Sequence, residues 1–372
     1  MIPLVKVGMP PKEVLMPVLE DVLYSGKPIN EGEAVYQFEE KFISKYQLPK
    51  TSMAMSSGTA ALHAALTLSG VQQGDEVITT SLTAEPTNLA IKYVGAKPVF
   101  CDVEKKTGNI SVDSILNSIN EKTKAILVVH YAGYPVDILN IREICNKNGI
   151  KLIEDCAHAL GSTVNNIPVG NFGDYAIFSF QAIKHFTTVD GGFLVCNSES
   201  DYIKGKKFRW FGMSKEEDRT KLNVKEIGYK YNYQNVFASI GIIQLDYIDD
   251  RINSHIENGN YYNEQFEKHG LDIFAKVDSN TQPSYWLYTL ILENKEQASY
   301  LESYLIDRGI CASKLHKLNH KHSIFKNERN LDETCDFYDR MLHIPCGWWL
   351  SKADRNKIVN SVIEGVESAS IV

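Results

Sequence analysis

Short runs of apolar and β-branched residues alternate with stretches of helical spacing up to about residue 245. The apolar runs predict buried strands at residues 76–79, 97–102, 125–130 and 151–155. The stretches between them predict helices at residues 60–69, 87–94 and 136–148. This alternation is typical of a mainly parallel sheet that is covered by helices on both faces, and ligands of such sheets bind at the carboxyl ends of the strands.

The pattern changes in the last third of the chain. Residues 242–266 have long, uninterrupted helical spacing, and they are followed by a predicted strand at 288–292 and a predicted helix at 298–308. A closing helix is predicted at 354–366. We therefore predict two domains, a large domain over residues 1–245 and a smaller C-terminal domain over residues 246–372.

The composition is that of a soluble globular enzyme, with 44% hydrophobic and 23% charged residues in a chain of 372. Because 46 Asp+Glu outnumber 39 Lys+Arg, giving a formal net charge of −7, we expect no nucleic-acid partner. The apolar runs are far shorter than the roughly 20 residues of a membrane helix, so no membrane partner is expected either. The first residues lack the features of a signal peptide, which predicts a cytoplasmic protein.

The seven cysteines are odd in number, widely spaced and without a C-x-x-C pair. Several of them lie in apolar surroundings, as Cys196 does after the apolar residues 193–195. We therefore interpret the cysteines as reduced thiols, and the sequence predicts no metal site.

The first chemical motif is Ser-Ser-Gly-Thr-Ala-Ala-Leu at residues 56–62, at the start of a predicted helix. Free amides at a helix N-terminus attract anions, and Gly58 would let a phosphate approach the backbone closely. An ordinary cap of a buried helix would have the same pattern. The fingerprints of other phosphate sites are missing, since no Walker A lysine is present and no G-x-G-x-x-G follows a predicted strand.

The second motif is Glu-Asp-Cys-Ala-His at residues 154–158, directly after a predicted strand. A carboxylate at a strand end faces the ligand crevice of an α/β sheet, and His158 would share that crevice if the chain bends into a helical turn. The alternative is that Asp155 caps a turn and His158 is an interior histidine. The residues alone leave both interpretations open.

The third motif is Ser-Phe-Gln-Ala-Ile-Lys at residues 179–184, followed by Asp-Gly-Gly at 190–192. A partly buried lysine has a depressed amine pKa, which a Schiff-base nucleophile needs. An isolated lysine is far more often a solvated surface residue, so a function for Lys184 can be inferred only from the residues around it.

Together with Gly-Tyr-Lys-Tyr-Asn at residues 228–232, these motifs occur in the order seen in the DegT/DnrJ/EryC1/StrS aminotransferases, and the chain resembles that family from about residue 3 to residue 346. The family consists of pyridoxal-phosphate (PLP) enzymes that aminate keto sugars carried on a nucleotide. The resemblance implies fold type I, with a mainly parallel seven-stranded sheet in a large domain and a smaller C-terminal α/β domain. It also implies a homodimer with shared active sites.

The resemblance assigns roles to individual residues. Lys184 would be the Schiff-base lysine, Asp155 the carboxylate that keeps the pyridine nitrogen protonated, and His158 a contact to the ring or its phenolic oxygen. Asn232 would reach a phosphate across the dimer interface, with Lys230 or Asn235 as alternatives. The remaining predicted cofactor contacts all bind the phosphate: Ser57, Gly58, Thr59 and Ser179.

The resemblance implies transfer of an amino group from L-glutamate to a nucleotide-linked keto-deoxysugar, most closely a 4-keto-6-deoxy sugar. Products of this kind feed lipopolysaccharide, glycan or antibiotic assembly. The alternatives are a PLP-dependent dehydratase, which the presence of Lys184 disfavours, and a PLP-binding regulator without turnover.

Substrate contacts are predicted at His185, His316 and Asn319. The last two lie in a basic segment with three histidines at residues 314–322. This segment could contact the diphosphate or the sugar of the substrate, or be a plain surface loop, and its lysines make it an unfavourable place for a metal cation. Ala84 replaces the aromatic residue that stacks on the cofactor in many relatives. Glu85 and Asn88 follow Ala84. The sequence leaves open whether each of them contacts the substrate or has a structural role in the loop.

Overall fold

The computed structural model describes residues 1–26, 28–215, 217–325 and 329–369. Its strands in chain order are β1 (Ser52–Met55), β2 (Glu76–Thr80), β3 (Lys97–Cys101), β4 (Thr123–Val129), β5 (Lys151–Asp155), β6 (Thr163–Val164), β7 (Ile167–Pro168), β8 (Tyr175–Ser179), β9 (Gly192–Cys196), β10 (Thr281–Gln282), β11 (Tyr288–Ile291) and β12 (Met341–Ile344).

The helices in chain order are α1 (Lys12–Tyr24), α2 (Glu33–Tyr46), α3 (Gly58–Leu68), α4 (Glu85–Tyr93), α5 (Val112–Leu116), α6 (Ile138–Asn148), α7 (Glu199–Phe208), α8 (Asn235–Gln244), α9 (Ile248–Lys268), α10 (Lys295–Asp307), α11 (Asp332–Arg340) and α12 (Lys352–Ala369). Short 3₁₀ turns lie at Tyr131–Gly133 and Asn319–Lys321.

The central sheet has seven strands in the order β1-β9-β8-β5-β4-β2-β3. Strand β9 runs antiparallel to both of its neighbours, and the strand pairs from β8 to β3 are parallel. In the register of β4 and β5, Val129 pairs with Asp155. The carboxyl ends of these strands therefore meet at one edge, and the predicted mainly parallel seven-stranded sheet is confirmed.

The sheet is buried on both faces because its strands are apolar on both. Residues 125–129 of β4 are at most 2% exposed, and alternate residues of β4 belong to different core clusters on the two faces. On one face, α3 lies close to the sheet because it is rich in alanine, including Ala60 and Ala64. A Cβ at Gly192 in β9 would lie 2.5 Å from backbone atoms of Ser57, so only glycine fits where α3 begins.

The predicted strands and helices before residue 150 are confirmed, with ends that shift by a few residues. The long helical pattern at 242–266 contains a break that the sequence did not predict, because α8 ends at Gln244 and α9 begins at Ile248. The buried amide of Gln244 donates to the carbonyl oxygens of Gly8 and Thr187, and the guanidinium of Arg251 donates to its oxygen. These contacts hold the turn that joins the two helices.

The C-terminal part contains the antiparallel pair β11 and β12, in which Tyr288 pairs with Ile344. Helices α10 and α12 pack closely, since a Cβ at Gly365 would lie 2.5 Å from Leu301. The same core cluster also includes Leu82 and Tyr131 from the N-terminal part. The division of the chain at residue 245 therefore stays a prediction. Within the described ranges, no helix is both long enough and apolar enough to span a bilayer.

Candidate active site

A cavity of about 560 Å³ lies where β4, β5 and β8 end, between the start of α3 and the start of α4. Most of the predicted site residues line it: Ser57, Gly58, Thr59, Asp155, His158, Ser179, Lys184 and His316. The sheet topology thus brings together motifs that are separated by more than a hundred residues, as expected at the carboxyl edge of an α/β sheet.

One end of the cavity is suited to an anion. The Ser57 hydroxyl caps α3 by accepting a hydrogen bond from the Ala60 amide at 3.0 Å, so the helix begins at Gly58. The first-turn amides of a helix have no partner within it, and Gly58 and Thr59 lie at the cavity wall. A Cβ at Gly58 would lie 3.0 Å from Cβ of Ser179, which explains why glycine is needed beside this hydroxyl.

Asp155 ends β5 and is 2% exposed. Its Oδ1 accepts a hydrogen bond from the Ala157 amide at 3.0 Å, and its Oδ2 accepts one from the Thr87 hydroxyl at 2.9 Å. Burial raises the pKa of the carboxyl group, and the two hydrogen bonds and the nearby Lys184 oppose that shift. This arrangement holds a buried carboxylate in a fixed position, where it can accept a hydrogen bond from a protonated nitrogen of a ligand bound in the cavity.

Lys184 follows β8 in the loop that crosses the cavity. Its Nζ lies 4.2 Å from the ring centroid of Trp286. Burial lowers the pKa of the amine to about 7, and the Asp155 carboxylate acts in the opposite direction. A substantial fraction of the amine is therefore neutral near pH 7, which is the form that attacks a carbonyl carbon.

His158 is stacked on Trp286, with ring centroids 4.0 Å apart and planes 21° apart. Burial lowers the imidazole pKa well below its usual value, and Nδ1 is buried without a hydrogen-bond partner in the described parts of the chain. Trp286 is 2% exposed and donates from Nε1 to the carbonyl oxygen of Ile183 at 2.9 Å. Sequence reasoning missed Trp286; its only signal was a large aromatic residue just before the predicted strand at 288–292.

The side of the cavity at α4 contains Glu85, the first residue of that helix. Its carboxylate faces two imidazoles, with Oε2 3.9 Å from Nδ1 of His316 and Oε1 3.5 Å from Nε2 of His322. The His316 ring is nearly parallel to that of His158, with a centroid distance of 6.2 Å.

The structure places His185 and Asn319 outside this cavity. Nε2 of His185 lies 3.1 Å from the carbonyl oxygen of Ser284, and the His185 ring packs edge-on against His255. The Asn319 side chain is fully buried, accepts from the Asn88 amide at 2.9 Å and donates to the Thr83 carbonyl at 2.8 Å. Both side chains therefore hold polypeptide segments together, and their predicted substrate contacts stay predictions.

Asn232 is also not among the residues that line the cavity, although it is close to the end of the cavity that is suited to an anion. It forms an isolated antiparallel bridge with Met55, and the Ser56 amide donates to the carbonyl of Tyr231. Its side chain is fully buried, and neither amide atom has a hydrogen-bond partner among the described residues. An unpaired buried amide is costly, so this position calls for a partner.

Among the described residues, one group has the spacing of a metal site, formed by His130, Glu154 and Cys156. The Glu154 oxygens are already occupied, because they accept hydrogen bonds from His130 Nε2 and from three loop amides. Nδ1 of His130 accepts from the Val136 amide. This group is therefore a buried hydrogen-bond network that fixes the loop after β7.

A sequence model of the DegT/DnrJ/EryC1/StrS aminotransferase family matches residues 12–363. The chain belongs to this family. It is a PLP-dependent sugar aminotransferase, and the recognition made from the motifs is confirmed.

Two similar proteins indicate the range of chemistry within the family. The chain is 34% identical over 289 residues to the GDP-perosamine synthase of Vibrio cholerae, covering 74% of each chain. It is 32% identical over 356 residues to the UDP-4-amino-4,6-dideoxy-N-acetyl-β-L-altrosamine transaminase of Campylobacter jejuni, covering 94% of this chain and 92% of that one.

The fold agrees with that of the solved sugar aminotransferase CalS13 from Micromonospora echinospora, with a TM-score of 0.92 and 32% identity. The match covers 98% of this chain and 100% of CalS13. The expected aminotransferase fold is therefore confirmed over the whole chain and not only at the motifs.

Proposed function

We propose that this chain transfers the amino group of L-glutamate to the keto group of a nucleotide-linked 4-keto-6-deoxy sugar, with PLP held in the cavity around Lys184. The observation that carries the proposal is the buried Lys184 amine, whose pKa is lowered to about 7, in one cavity with the buried Asp155 carboxylate. Perturbed titratable groups that share a cleft are a physical mark of a catalytic site.

The donor groups of the cavity fit PLP. Its phosphate would lie against the amides of Gly58 and Thr59, with the hydroxyls of Ser57 and Ser179 beside them. Its ring nitrogen would donate to Asp155, and its ring would lie against His158. Lys184 would bond to its aldehyde carbon. When bound, PLP supplies a ring that takes up the electron pair left on a substrate carbon.

The residues of the chain then have separable tasks. Asp155 holds a proton on the ring nitrogen, and the hydrogen bond from Thr87 fixes the direction of its carboxylate. The Lys184 amine, released when the amino group of L-glutamate takes its place, would in its neutral form take the proton from the α-carbon of that amino acid. Trp286 contacts both Lys184 and His158, so a single indole ring supports the two side chains.

The homodimer with shared active sites is part of the proposal. The unpaired buried amide of Asn232, adjacent to the strand end that leads into Ser57, supports a phosphate contact made outside this chain. The names of the two relatives support a nucleotide-sugar substrate, and the C. jejuni name supports amination at C4. We place the product among precursors of lipopolysaccharide or a related glycan.

The test is to incubate the PLP-loaded protein with L-glutamate and a panel of 3-keto and 4-keto nucleotide sugars. We expect 2-oxoglutarate and a product whose mass shows that the keto oxygen has been replaced by an amino group, for a 4-keto member of the panel. A product that has lost water without gaining nitrogen would instead identify a dehydratase. A protein that binds PLP without any turnover on the panel would contradict the proposed activity.

A further inference from the structure

Glu85 and His316 line the α4 side of the cavity, and His322, which does not line it, lies against the Glu85 carboxylate. The two oxygens of Glu85 face different imidazoles, Oε2 facing His316 and Oε1 facing His322, at 3.9 and 3.5 Å. The Nε2 atoms of both histidines are buried and have no hydrogen-bond partner in the described part of the chain. The group thus offers acceptors and donors that the protein itself does not use.

The backbone that carries the histidines is firmly held. Between them lies the 3₁₀ turn Asn319–Lys321, and the Asn319 amide donates to the Ser81 carbonyl at 2.9 Å. The Asn319 side chain is bonded to Asn88 and Thr83, and Nδ1 of His320 lies 2.7 Å from the Ser81 hydroxyl. His316 is therefore presented to the cavity, and His322 to the Glu85 carboxylate, in a preorganised geometry, which is what a specificity site requires.

The charges at this wall suit hydroxyl groups better than a diphosphate. Lys314, the first cation of the segment, donates to the carbonyl oxygens of Tyr338 and Asp339, at 2.6 and 2.7 Å. Lys317 and Lys321 are exposed and do not line the cavity. Burial and the charge of Lys184 lower the pKa of His316, so this imidazole adds little positive charge. A carboxylate accepts hydrogen bonds from hydroxyls, and a neighbouring neutral imidazole can donate to them or accept from them.

We propose that Glu85 and His316 form a specificity site that binds hydroxyl groups on the pyranose ring of the amino acceptor, with His322 orienting the Glu85 carboxylate. The inference rests on the proposed function and names the part of the substrate that this wall recognises. Glu85 accepts hydrogen bonds from these hydroxyls, and the unpaired Nε2 of His316 completes their hydrogen bonding. Because His316 lies beside His158, the bound hydroxyls are those close to the carbon that receives nitrogen.

The test compares Glu85→Gln with the matched control Glu199→Gln. Glu199 is the first residue of α7 and is exposed, so its substitution removes a carboxylate from the same helical position at a distance from the cavity. The first measurement is the rate at which L-glutamate alone converts the visible spectrum of the PLP-loaded protein. The second is kcat/KM for a nucleotide-linked 4-keto-6-deoxyhexose, measured at saturating glutamate.

We expect Glu85→Gln to lower kcat/KM for the sugar about 10- to 100-fold, since a hydrogen bond to a charged group is lost. The glutamate rate should stay within about twofold of the wild type, and Glu199→Gln should change neither measurement. The same sugar lacking the hydroxyl next to the keto carbon should be poor with the wild type. With that sugar, Glu85→Gln should cause no additional loss, because the two changes remove one interaction.

Unchanged sugar kinetics in Glu85→Gln would overturn the inference while leaving the aminotransferase activity intact. The inference would also be overturned if Glu85→Gln lowered the rate with L-glutamate alone as much as it lowered kcat/KM for the sugar, because Glu85 would then act in the donor step. Calorimetric titration with a nucleotide-linked 4-amino-4,6-dideoxyhexose gives a readout that needs no turnover. In this titration we expect Glu85→Gln to bind the amino sugar more weakly than the wild type does, and Glu199→Gln to bind it as the wild type does. Equal binding of the sugar by the two variants would contradict a hydroxyl site. Failure of the wild type both to react with glutamate and to bind the sugar would reject the proposed function itself.

Discussion

Trp286 and His158 stack face to face with ring centroids 4.0 Å apart, although they are 128 positions apart in the chain. The centroid of the Trp286 ring also lies 4.2 Å from Nζ of Lys184, and its Nε1 donates a hydrogen bond to the carbonyl oxygen of Ile183. One side chain from the C-terminal third of the protein thus positions two residues from the motifs.

For Trp286→Ala we therefore expect a loss of about 3–5 kcal/mol in the free energy of unfolding and weaker PLP binding. Trp286→Phe keeps an aromatic support but loses the N–H donor, so it should cost only about 1 kcal/mol. Urea unfolding and titration of the apoprotein with PLP measure the two effects. Equal stability and PLP affinity in Trp286→Ala and the wild type would show that the stack has no supporting role.

The depressed pKa of Lys184 predicts how the apoprotein reacts with PLP at different pH values. Below pH 7 the amine is mostly protonated and cannot attack the aldehyde, and above pH 7 it is mostly neutral. The second-order rate, followed by the appearance of the visible band, should rise with pH and level off above about pH 8. For an ordinary exposed lysine, this rate would continue to rise up to about pH 10.4. Borohydride should trap the cofactor on a peptide that contains Lys184, and Lys184→Ala should abolish both signals.

Replacing Asp155 by asparagine tests the electrostatic task of the carboxylate. Asp155→Asn retains an acceptor for the Ala157 amide but removes the negative charge that would hold a proton on the ring nitrogen. We expect the glutamate half-reaction to slow about 100- to 1,000-fold. Thr87→Val, which removes only the hydroxyl that orients the carboxylate, should have a smaller effect. Stopped-flow spectra distinguish the two variants, and the reverse ranking would contradict the assigned roles.

Glu154 stands next to Asp155 in the sequence but belongs to a different environment. It is fully buried and accepts bonds from His130 and three loop amides. Glu154→Gln leaves several of these donors unsatisfied, so we expect a loss of about 3–5 kcal/mol in the free energy of unfolding. We expect EDTA to leave the urea midpoint of the wild-type protein unchanged. A lower midpoint in EDTA would indicate that His130, Glu154 and Cys156 hold a metal ion instead.

The sequence predicted best those features that follow from local pattern and sheet topology. Strand ends point to one edge, so Asp155 and Ser179 were recognisable beside the helix start at Gly58. Trp286 and Thr87 were missed as parts of the site because each is brought to it by packing, and neither stands in a motif. His185 shows that neighbouring residues of a loop point in different directions, since Lys184 lines the cavity while Nε2 of His185 lies against the Ser284 carbonyl oxygen.

The histidine segment shows the same limit. Its composition alone suggested a diphosphate or sugar contact or a surface loop, because the acidic partner was not nearby in sequence. The structure supplies that partner in Glu85, more than 200 residues earlier in the chain. The histidines themselves were visible, whereas the pairing depended on how two distant loops meet.

The hydrogen bond between Asn88 and Asn319 joins residues that are 231 positions apart. A ribosome that makes this chain completes Ser57, Asp155 and Lys184 well before Asn319 emerges. The wall that holds His316 can therefore form only after these groups have been synthesised. The proposed sugar site is, in this sense, completed later than the groups proposed to hold the cofactor.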